Sequence, residues 1–351
     1  MALPTTQKKW VIMGQGRDLD EYNFTDGPVP TVGEHGVLVK LHAASLNYRD
    51  HLIPKPKAGA YPFHLNLPVV GGSDGAGEVV EVGSKVTKWT KGDRVTAIFN
   101  PGHQSGQMTV AALHNGSIGG SYDGTFQQYG VFEESWLVRL ASNLSYLEGA
   151  TLSDCGVTAW NALYGLKAVK PGEWVLTQGT GGVSLFAIQF AKAGGARVVA
   201  TTSSPAKYDL LKSLGADHII NYNEDEHWGQ TARKFTPNGE GFDHVIDVGG
   251  TDTLSQSVQA VRHEGIITVI GLLTGTEAGK ANIIDALVNI CTFRGIHIGS
   301  KDQMEEMMAA IEANGIQPVL DKRVFKLDEL RDGLEYLEAR KHVGKVVVKI
   351  I

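Results

Sequence analysis

The stretch WVLTQGTGGVSLFAIQFAK, residues 174–192, decides the fold of this chain. It begins as a short apolar strand, passes through a glycine turn and continues as an amphipathic helix. Gly179 and Gly181 permit a tight turn and let a ligand approach the backbone without interference from a Cβ atom. The unpaired amides at the start of the helix favour an anion. This pattern predicts a pyrophosphate-binding turn. Its predicted contact residues are Gly179, Thr180, Gly181, Gly182 and Val183.

Ser184 stands where this type of turn usually has its third glycine. The motif is therefore G-x-G-x-x-S. A small serine has to serve where close packing of the helix on the strand normally requires glycine.

The end of the next apolar strand, residues 197–201, is where such a fold contacts the adenosine ribose. No Asp or Glu follows, because the chain continues as TSSPAK, residues 202–207. An NAD enzyme uses a carboxylate there, whereas a ribose 2′-phosphate requires hydroxyl donors and a cation. Ser203 and Lys207, with Tyr222 after the following strand, are such a set. We therefore predict NADPH as the cofactor.

The same residues also have an alternative interpretation, in which they stabilise the local structure and do not bind a cofactor. Ser203 and Ser204 could cap a helix that begins near Pro205, and Lys207 could be a solvated surface charge. Capping does not account for the missing acid, so the prediction of NADPH is preferred.

Short buried strands alternate with helices from Trp174 to about Ile298, which predicts a doubly wound parallel α/β sheet of the Rossmann type. The part before it is mostly β, with strands separated by glycine and charged turns. Residues 100–123 are glycine-rich and polar, and we expect a long loop there. The last part mixes strands with one helix and could return to the first domain.

The predicted domains are residues 1–155, 156–298 and 299–351, the last being the return to the first domain. No internal repeat or low-complexity segment interrupts them.

Composition is that of a soluble enzyme acting on a small-molecule substrate. A net charge of −6 gives no electrostatic case for nucleic acid. The beginning of the chain has no apolar core of a signal peptide, and no stretch approaches the length of a membrane span, so we expect a cytoplasmic protein. Two cysteines, Cys155 and Cys291, are too few for a disulfide framework or a four-cysteine zinc cluster.

Several separated motifs carry a family resemblance. They are GSDGAGEVVEVG at 72–83, GDRV at 92–95, PGEWVLTQ at 171–178, DVGG at 247–250 and HVGKVV at 342–347. In this order they resemble the medium-chain dehydrogenase/reductase superfamily over essentially the whole chain. The resemblance implies a GroES-like, mostly β domain with a Rossmann domain, and dimers or tetramers. We expect a homodimer, with the stretch 292–300 able to extend a sheet across a two-fold axis.

Zinc alcohol dehydrogenases of this superfamily hold a catalytic metal on Cys, His and Cys. By resemblance, Asn47 and Ser73 stand at the first two positions, and Cys155 alone retains a ligand. Amide and hydroxyl oxygens are poor zinc ligands beside thiolate and imidazole. We predict that this chain has no metal site and that Cys155 is a small packing residue.

Loss of the metal favours the quinone oxidoreductase and enoyl reductase branches that the sequence resembles. Hydride added to an activated alkene gives a delocalised enolate, which hydrogen bonds can stabilise. By resemblance, Asn47 orients the nicotinamide or substrate oxygen, and Tyr61 or Tyr48 donates a hydrogen bond or proton. The alternative for Tyr61 is a packed ring in a turn before Pro62.

Further cofactor contacts follow from matching the family pattern. Thr158 is expected near the nicotinamide, and Lys345 near the phosphates. The residues expected to line the carboxamide side are Val248, Gly249, Ile270, Gly271 and Leu272. Each of these could instead be an ordinary helix-start, strand or turn residue.

Two other functions remain open at this point. One is a metal-free alcohol or ketone oxidoreductase that uses NADP. The other is an NADPH-binding protein with little turnover.

Overall fold

The computed structural model describes residues 3–56, 61–271 and 282–351. The chain divides into two compact units. The first unit contains Met1–Val157 and Ser300–Ile351, and the second contains Thr158–Gly299.

The first unit begins with short strands joined by turns. Its strands in this part are β1 Thr6–Ile12, β2 Tyr22–Pro28, β3 Gly36–Ser45, β4 Val69–Val70, β5 Asp74–Val82, β6 Arg94–Ala97, β7 Tyr129–Glu133 and β8 Leu137–Arg139. Its helices are α1 Tyr48–Leu52, α2 Val110–His114 and α3 Tyr146–Gly149, and a π-helical turn covers Leu152–Gly156. Alternate residues of β3, Val37, Val39 and Leu41, are buried in one apolar core.

The glycine-rich stretch 100–123 was expected to be a loop, and the structure corrects this. Helix α2 lies within it and begins after Thr109, whose hydroxyl accepts a hydrogen bond from the Ala112 amide at 3.1 Å. A threonine N-cap satisfies an otherwise unpaired amide and so permits a short helix in a polar segment.

The second unit is a parallel sheet covered by helices. Its strands are β9 Trp174–Gln178, β10 Arg197–Thr202, β11 His218–Asn221, β12 Phe242–Asp247, β13 Val261–Val269 and β14 Thr292–Gly295. Its helices are α4 Val157–Tyr164, α5 Gly182–Ala193, α6 Tyr208–Ser213, α7 Trp228–Arg233, α8 Thr251–Ala260 and α9 Ile284–Val288.

The strands of this sheet lie in the order β11-β10-β9-β12-β13-β14. Numbered from β9, that is the 3-2-1-4-5-6 order of the Rossmann fold. Val199, Leu176, Val245 and Ile267 are paired across four neighbouring strands and are all fully buried. Because both faces of the sheet are buried at these four residues, the strands appear in the sequence as continuous apolar runs. The predicted fold class is confirmed.

The chain then returns to the first unit with α10 Lys301–Asn314, β15 Leu320–Lys326, α11 Leu330–Glu338 and β16 Lys345–Lys349. Strand β16 pairs with β15 and, in antiparallel register, with β3, where Val347 lies opposite Ser45. The first unit therefore has a sheet of order β15-β16-β3-β5-β6-β8, with β7 also paired to β3.

Within the described ranges, no helix combines the length and the apolar character needed to cross a bilayer.

Candidate functional site

The glycine turn of the second unit has the geometry of an anion site. Gly179 follows β9 with a φ of +73°, which favours glycine, and Gly181 is the N-cap of α5. A Cβ atom built on either glycine would meet no atom of the described residues within 4 Å, so the described part of the chain leaves space in front of both. The N-cap residue, being a glycine, has no side chain that could cap this helix. Its first amides are therefore available to a phosphate group.

Ser184 explains how the turn manages without a third glycine. Its hydroxyl donates a 2.6 Å hydrogen bond to the carbonyl of Gln178, the last residue of β9. The side chain is fully buried. The serine thus ties the first turn of α5 to the strand with a hydrogen bond, at the position where glycine would permit close packing.

The predicted ribose residues lie at the ends of two neighbouring strands. Thr202 at the end of β10 is paired with Asn221 at the end of β11. Ser203 and Tyr222 are the residues that follow, and the Tyr222 amide donates to the Thr202 carbonyl at 3.0 Å. The register therefore brings Ser203 and Tyr222 to the same edge of the sheet.

The capping role belongs to Ser204 alone. Its hydroxyl accepts from the Ala206 amide at 3.3 Å and caps the short 3-10 helix Pro205–Lys207. Ser203 is therefore not needed as a cap. Its carbonyl accepts from Asn223 at 3.1 Å.

The ends of β12 and β13 meet where the sequence predicts contacts with the carboxamide of the nicotinamide. The Ile270 amide donates to the Asp247 carbonyl at 2.9 Å, and a Cβ atom on Gly271 would lie 2.0 Å from the Val248 carbonyl oxygen. Only glycine permits this approach. Gly249 is also close to neighbouring atoms, with Thr253 at 2.4 Å from a Cβ built there. Leu272 lies outside the described residues.

Asp247 organises this loop, a role that the sequence motif did not reveal. Its buried carboxylate accepts from the Gly250 amide at 3.0 Å, from Thr253 Oγ1 at 2.8 Å, from Ser257 Oγ at 2.6 Å and from Gln178 Nε2 at 3.3 Å. All four donors are neutral. They attach the loop after β12 to both α8 and β9.

Thr158 lies in helix α4 and is buried. The expected contact of Thr158 with a nicotinamide stays a prediction.

In the first unit, five polar side chains converge and are called here the Asp74 cluster: Asn47, Ser73, Asp74, Cys155 and Lys345. Asn47 is the N-cap of α1, and its amide Nδ2 donates to Asp74 Oδ2 at 2.9 Å and to Ser73 Oγ at 3.4 Å. Ser45 Oγ also donates to Asp74 Oδ2, at 2.8 Å. The family resemblance predicts Asn47, Ser73 and Cys155 near one another as former ligand positions, but it identifies neither the central carboxylate nor Lys345 as members of this cluster.

Lys345 was assigned to the cofactor phosphates, and the structure places it in the Asp74 cluster instead. Its Nζ donates to Asn47 Oδ1 by a short hydrogen bond, to the Leu46 carbonyl at 3.1 Å and to Asp74 Oδ2 at 3.2 Å, and it lies 3.6 Å from Cys155 Sγ. The side chain is 3% exposed. A phosphate contact would require the ammonium to leave these partners.

Burial dominates the titration of the cluster. It raises the pKa of the Cys155 thiol to about 12 and, together with the Asp74 charge, raises the pKa of Asp154 to about 7. Burial alone would lower the pKa of Lys345, but the surrounding Cys155, Asp74 and Asp154 outweigh it and raise that pKa. The ammonium of Lys345 forms its ion pair with Asp74 Oδ2, at 3.2 Å.

The two candidate tyrosines, Tyr61 and Tyr48, differ in burial and in the side chains that their rings contact. Tyr61 is buried, with the Arg49 guanidinium 4.9 Å from its ring centre. Arg49 is itself held by the Ile118 carbonyl and Ser117 Oγ, both at 2.9 Å. Tyr48 is 37% exposed and packs edge-on against His51. The packed-ring interpretation therefore has a concrete partner for Tyr61 in Arg49.

Comparison with known proteins identifies the family. Residues 33–142 match the family model of the alcohol dehydrogenase GroES-like domain, and residues 182–313 match that of zinc-binding dehydrogenases. A zinc-type alcohol dehydrogenase-like protein of Schizosaccharomyces pombe is 48% identical over 348 residues, which is 97% of this chain and 99% of the relative. The chain belongs to the medium-chain dehydrogenase/reductase superfamily. It is an oxidoreductase of a family whose members bind nicotinamide cofactors.

Solved structures of this superfamily share the fold. An NAD-dependent alcohol dehydrogenase is 31% identical with a TM-score of 0.87, covering 98% of this chain and 100% of that one. A quinone oxidoreductase from Pseudomonas syringae is 26% identical with a TM-score of 0.79, covering 98% and 99%.

The zinc that the family model implies does not fit the residues of this chain. At the positions where the family resemblance expects ligands, Asn47 and Ser73 offer an amide and a hydroxyl, and the Lys345 ammonium lies 3.6 Å from Cys155 Sγ. Among the described residues, no group of three His, Cys, Asp or Glu side chains is arranged to hold a metal ion. The open glycine turn, by contrast, fits the pyrophosphate of a nicotinamide dinucleotide.

Proposed function

We propose that this superfamily member is an NADPH-dependent reductase that works without a metal and acts on an activated C=C bond of a quinone, enone or enoyl compound. Bound NADPH would supply a hydride for the β-carbon, and the chain would have to stabilise the resulting enolate oxygen with hydrogen bonds. A proton then completes the product. The observation that carries this proposal is the Asp74 cluster, in which a lysine ammonium occupies the place expected for a metal.

The absence of a Lewis acid makes an activated alkene the easier acceptor. A simple carbonyl concentrates the developing charge on one oxygen, whereas an enolate spreads it over several atoms. The quinone oxidoreductase relative is consistent with this chemistry.

Support for NADPH comes from the edge formed by β10 and β11. Ser203 and Tyr222 are brought together by the strand register, and Lys207 ends the short helix that Ser204 caps. One solved relative is an NAD-dependent alcohol dehydrogenase. In this fold the two coenzymes are distinguished by the residue at the end of the second strand, which is β10 here. Here that position has hydroxyl groups and no carboxylate.

Coenzyme preference is tested by kcat/KM for NADPH and NADH. We expect Lys207→Ala to raise KM for NADPH roughly 10- to 100-fold, the value of a charged hydrogen bond, and to leave NADH unaffected. Lys212→Ala on the exposed surface of α6 is the matched control. A wild-type preference for NADH would refute this part of the proposal.

The acceptor is tested with quinones, enones, enoyl thioesters, aldehydes and alcohols, each with both coenzymes. Reduction of enones or quinones with NADPH supports the proposal. Names of the relatives favour a second candidate, a metal-free alcohol or ketone oxidoreductase. Oxidation of simple alcohols with NADP and no reaction with enones would establish it. Tight NADPH binding without turnover would instead indicate a binding protein.

The proton donor is proposed to be Tyr61 or Tyr48. Asn47 is proposed to act by orienting the nicotinamide or substrate oxygen, although all atoms of its amide have partners within the Asp74 cluster. Tyr61→Phe keeps the ring against Arg49 and removes only the hydroxyl. A rate of hydride transfer and product formation equal to that of the wild type would exclude Tyr61.

A homodimer is proposed from the exposed edge of the second unit. Strand β14 is the last of its sheet, and large apolar side chains are exposed beside it. They are Ile283, Ile284, Leu287, Val288 and Ile290. Light scattering after size exclusion should show a dimer that Leu287→Glu dissociates. Val110→Glu, at an exposed apolar residue of the first unit, should leave it intact.

A further inference from the structure

We infer that the ε-ammonium of Lys345 is a resident cation that takes the place of a metal ion in the Asp74 cluster and excludes zinc from it. This inference rests on the metal-free part of the proposed function. It concerns the first unit alone and does not depend on which acceptor is reduced.

Convergence on a single atom is the first observation. Asn47 and Cys155 stand at two of the three ligand positions expected from the family pattern, and both direct a polar atom at Lys345 Nζ. Asn47 Oδ1 accepts its hydrogen bond, and Cys155 Sγ is 3.6 Å away. The Leu46 carbonyl, at 3.1 Å, adds a further oxygen. An ammonium with three N–H groups is thus surrounded in the way that ligands surround a cation.

Charge is the second observation. Asp74 is completely buried, and an isolated buried carboxylate is strongly disfavoured. Its ion pair within the described part of the chain is with Lys345, at 3.2 Å. Ser45 and Asn47 donate to the same carboxylate oxygen but are neutral. The lysine therefore supplies the positive charge that this carboxylate requires.

The orientation of the Asn47 amide follows from these two charges. Its oxygen faces the ammonium and its nitrogen faces the Asp74 carboxylate. The reverse orientation would place a donor against a donor and an acceptor against an acceptor. Lys345 therefore holds the amide in one orientation.

The sheet explains why a residue near the end of the chain reaches this point. Lys345 begins β16, which pairs with β3, and the Leu46 amide donates to the Val346 carbonyl at 2.9 Å. Asn47 is the next residue. The register of two strands thus places the lysine beside the predicted ligand position.

Zinc would have to displace the ammonium to enter. The displaced charge would then lie buried without its partners, and the metal would gain only one good ligand, Cys155. Restoring the ligands should therefore not be enough to restore metal binding. The lysine should also have to be removed.

The test compares two variants of the full chain by zinc stoichiometry after dialysis and by the visible absorption of bound Co²⁺. One carries Asn47→Cys and Ser73→His, and the other carries these with Lys345→Ala. We expect about one equivalent of metal with the triple variant, and binding at least about tenfold weaker with the double variant. Equal metal affinity of the two variants, or one equivalent of zinc tightly bound by the wild type, would overturn the inference.

If those variants do not fold, the melting temperatures of simpler variants test the same inference. Lys345→Met should lower the Tm clearly, whereas Lys349→Met on the exposed face of the same strand should not. Asp74→Asn added to Lys345→Met should recover part of the loss, because both charges are then gone. No change in Tm for Lys345→Met, or no recovery in the double variant, would show that the ammonium is not the counterion of Asp74. The acceptor panel can fail while these results hold, so the two ideas are separable.

Discussion

A buried aspartate in each unit accepts several hydrogen bonds, and the donors differ in charge between Asp247 and Asp74. Asp247 in the second unit accepts from one backbone amide and three neutral side chains. Asp74 in the first unit accepts from two neutral side chains and the Lys345 ammonium. The hydrogen bonds of Asp247 hold the loop after β12 in place, whereas Asp74 pairs with the charge of Lys345. Their responses to substitution should therefore differ in size.

The largest effect is expected at Asp74. Asp74→Asn removes the carboxylate that is paired with the buried Lys345 ammonium, and we expect a loss of about 3–5 kcal/mol in the free energy of unfolding. Urea denaturation followed by circular dichroism measures it. A loss no greater than that of Asp247→Asn would remove the distinction between the two sites.

The next effect concerns the reactivity of Cys155. Burial raises its pKa from an ordinary 9.0 to about 12, so the thiolate fraction at pH 8 should be roughly a thousandfold lower than in a free thiol. Because the folded pKa is raised, alkylation should speed up about tenfold per pH unit up to about pH 12. The unfolded thiol ionises first, so this group weakens folding above about pH 9.

Iodoacetamide labelling of Cys291→Ser, in which Cys155 is the remaining cysteine, isolates this rate. The variant Cys155→Ser is the control, because it gives the labelling rate of Cys291 alone. Cys291 is half-buried in the second unit. Rapid labelling of Cys155 at pH 8 would mean that the cluster is not as desolvated as its contacts indicate.

A smaller loss is expected at Asp247. Asp247→Asn keeps one acceptor oxygen and replaces the other with a donor that faces donors, which should cost about 1–3 kcal/mol. No opposite charge is left behind. The same denaturation experiment measures it, and a loss as large as that at Asp74 would contradict the neutral-donor description. The KM for the cofactor should rise as well, since Asp247 holds the loop with Val248 and Gly249.

The smallest effect is expected at Ser184. Ser184→Ala removes its hydrogen bond to the Gln178 carbonyl and should lower the free energy of unfolding by about 1 kcal/mol. Ser213→Ala is a control at an exposed hydroxyl that also bonds to a backbone carbonyl. Equal, negligible losses at both positions would show that the serine serves only by its small size.

Much of the second unit was predictable because its signals are local. The apolar run of β9, the glycine turn and the amphipathic period of α5 are contiguous in sequence, and each reflects burial or backbone freedom within a few residues. The membership of the superfamily was also predicted correctly from separated motifs. The helix α2 was missed because glycine and polar residues concealed a short segment that starts with a threonine cap.

The Asp74 cluster was predictable only in part. Lys345 stands at the start of an apolar strand in the run GKVVVKI, which indicates that a charge there needs a partner. The neighbouring residues do not identify that partner. Lys345 lies 271 residues from Asp74 and 298 from Asn47. Assigning it to phosphates followed the family pattern and not the environment of the side chain.

Sequence alone therefore determined the parallel sheet, the glycine turn and the hydroxyl-bearing residues after β10 and β11, because each depends on neighbouring residues. Tertiary structure alone decided that Lys345 contacts Asn47, Asp74 and Cys155. The register between β16 and β3 brings that charge to a buried carboxylate, and pairing across such a distance is a property of the folded sheet.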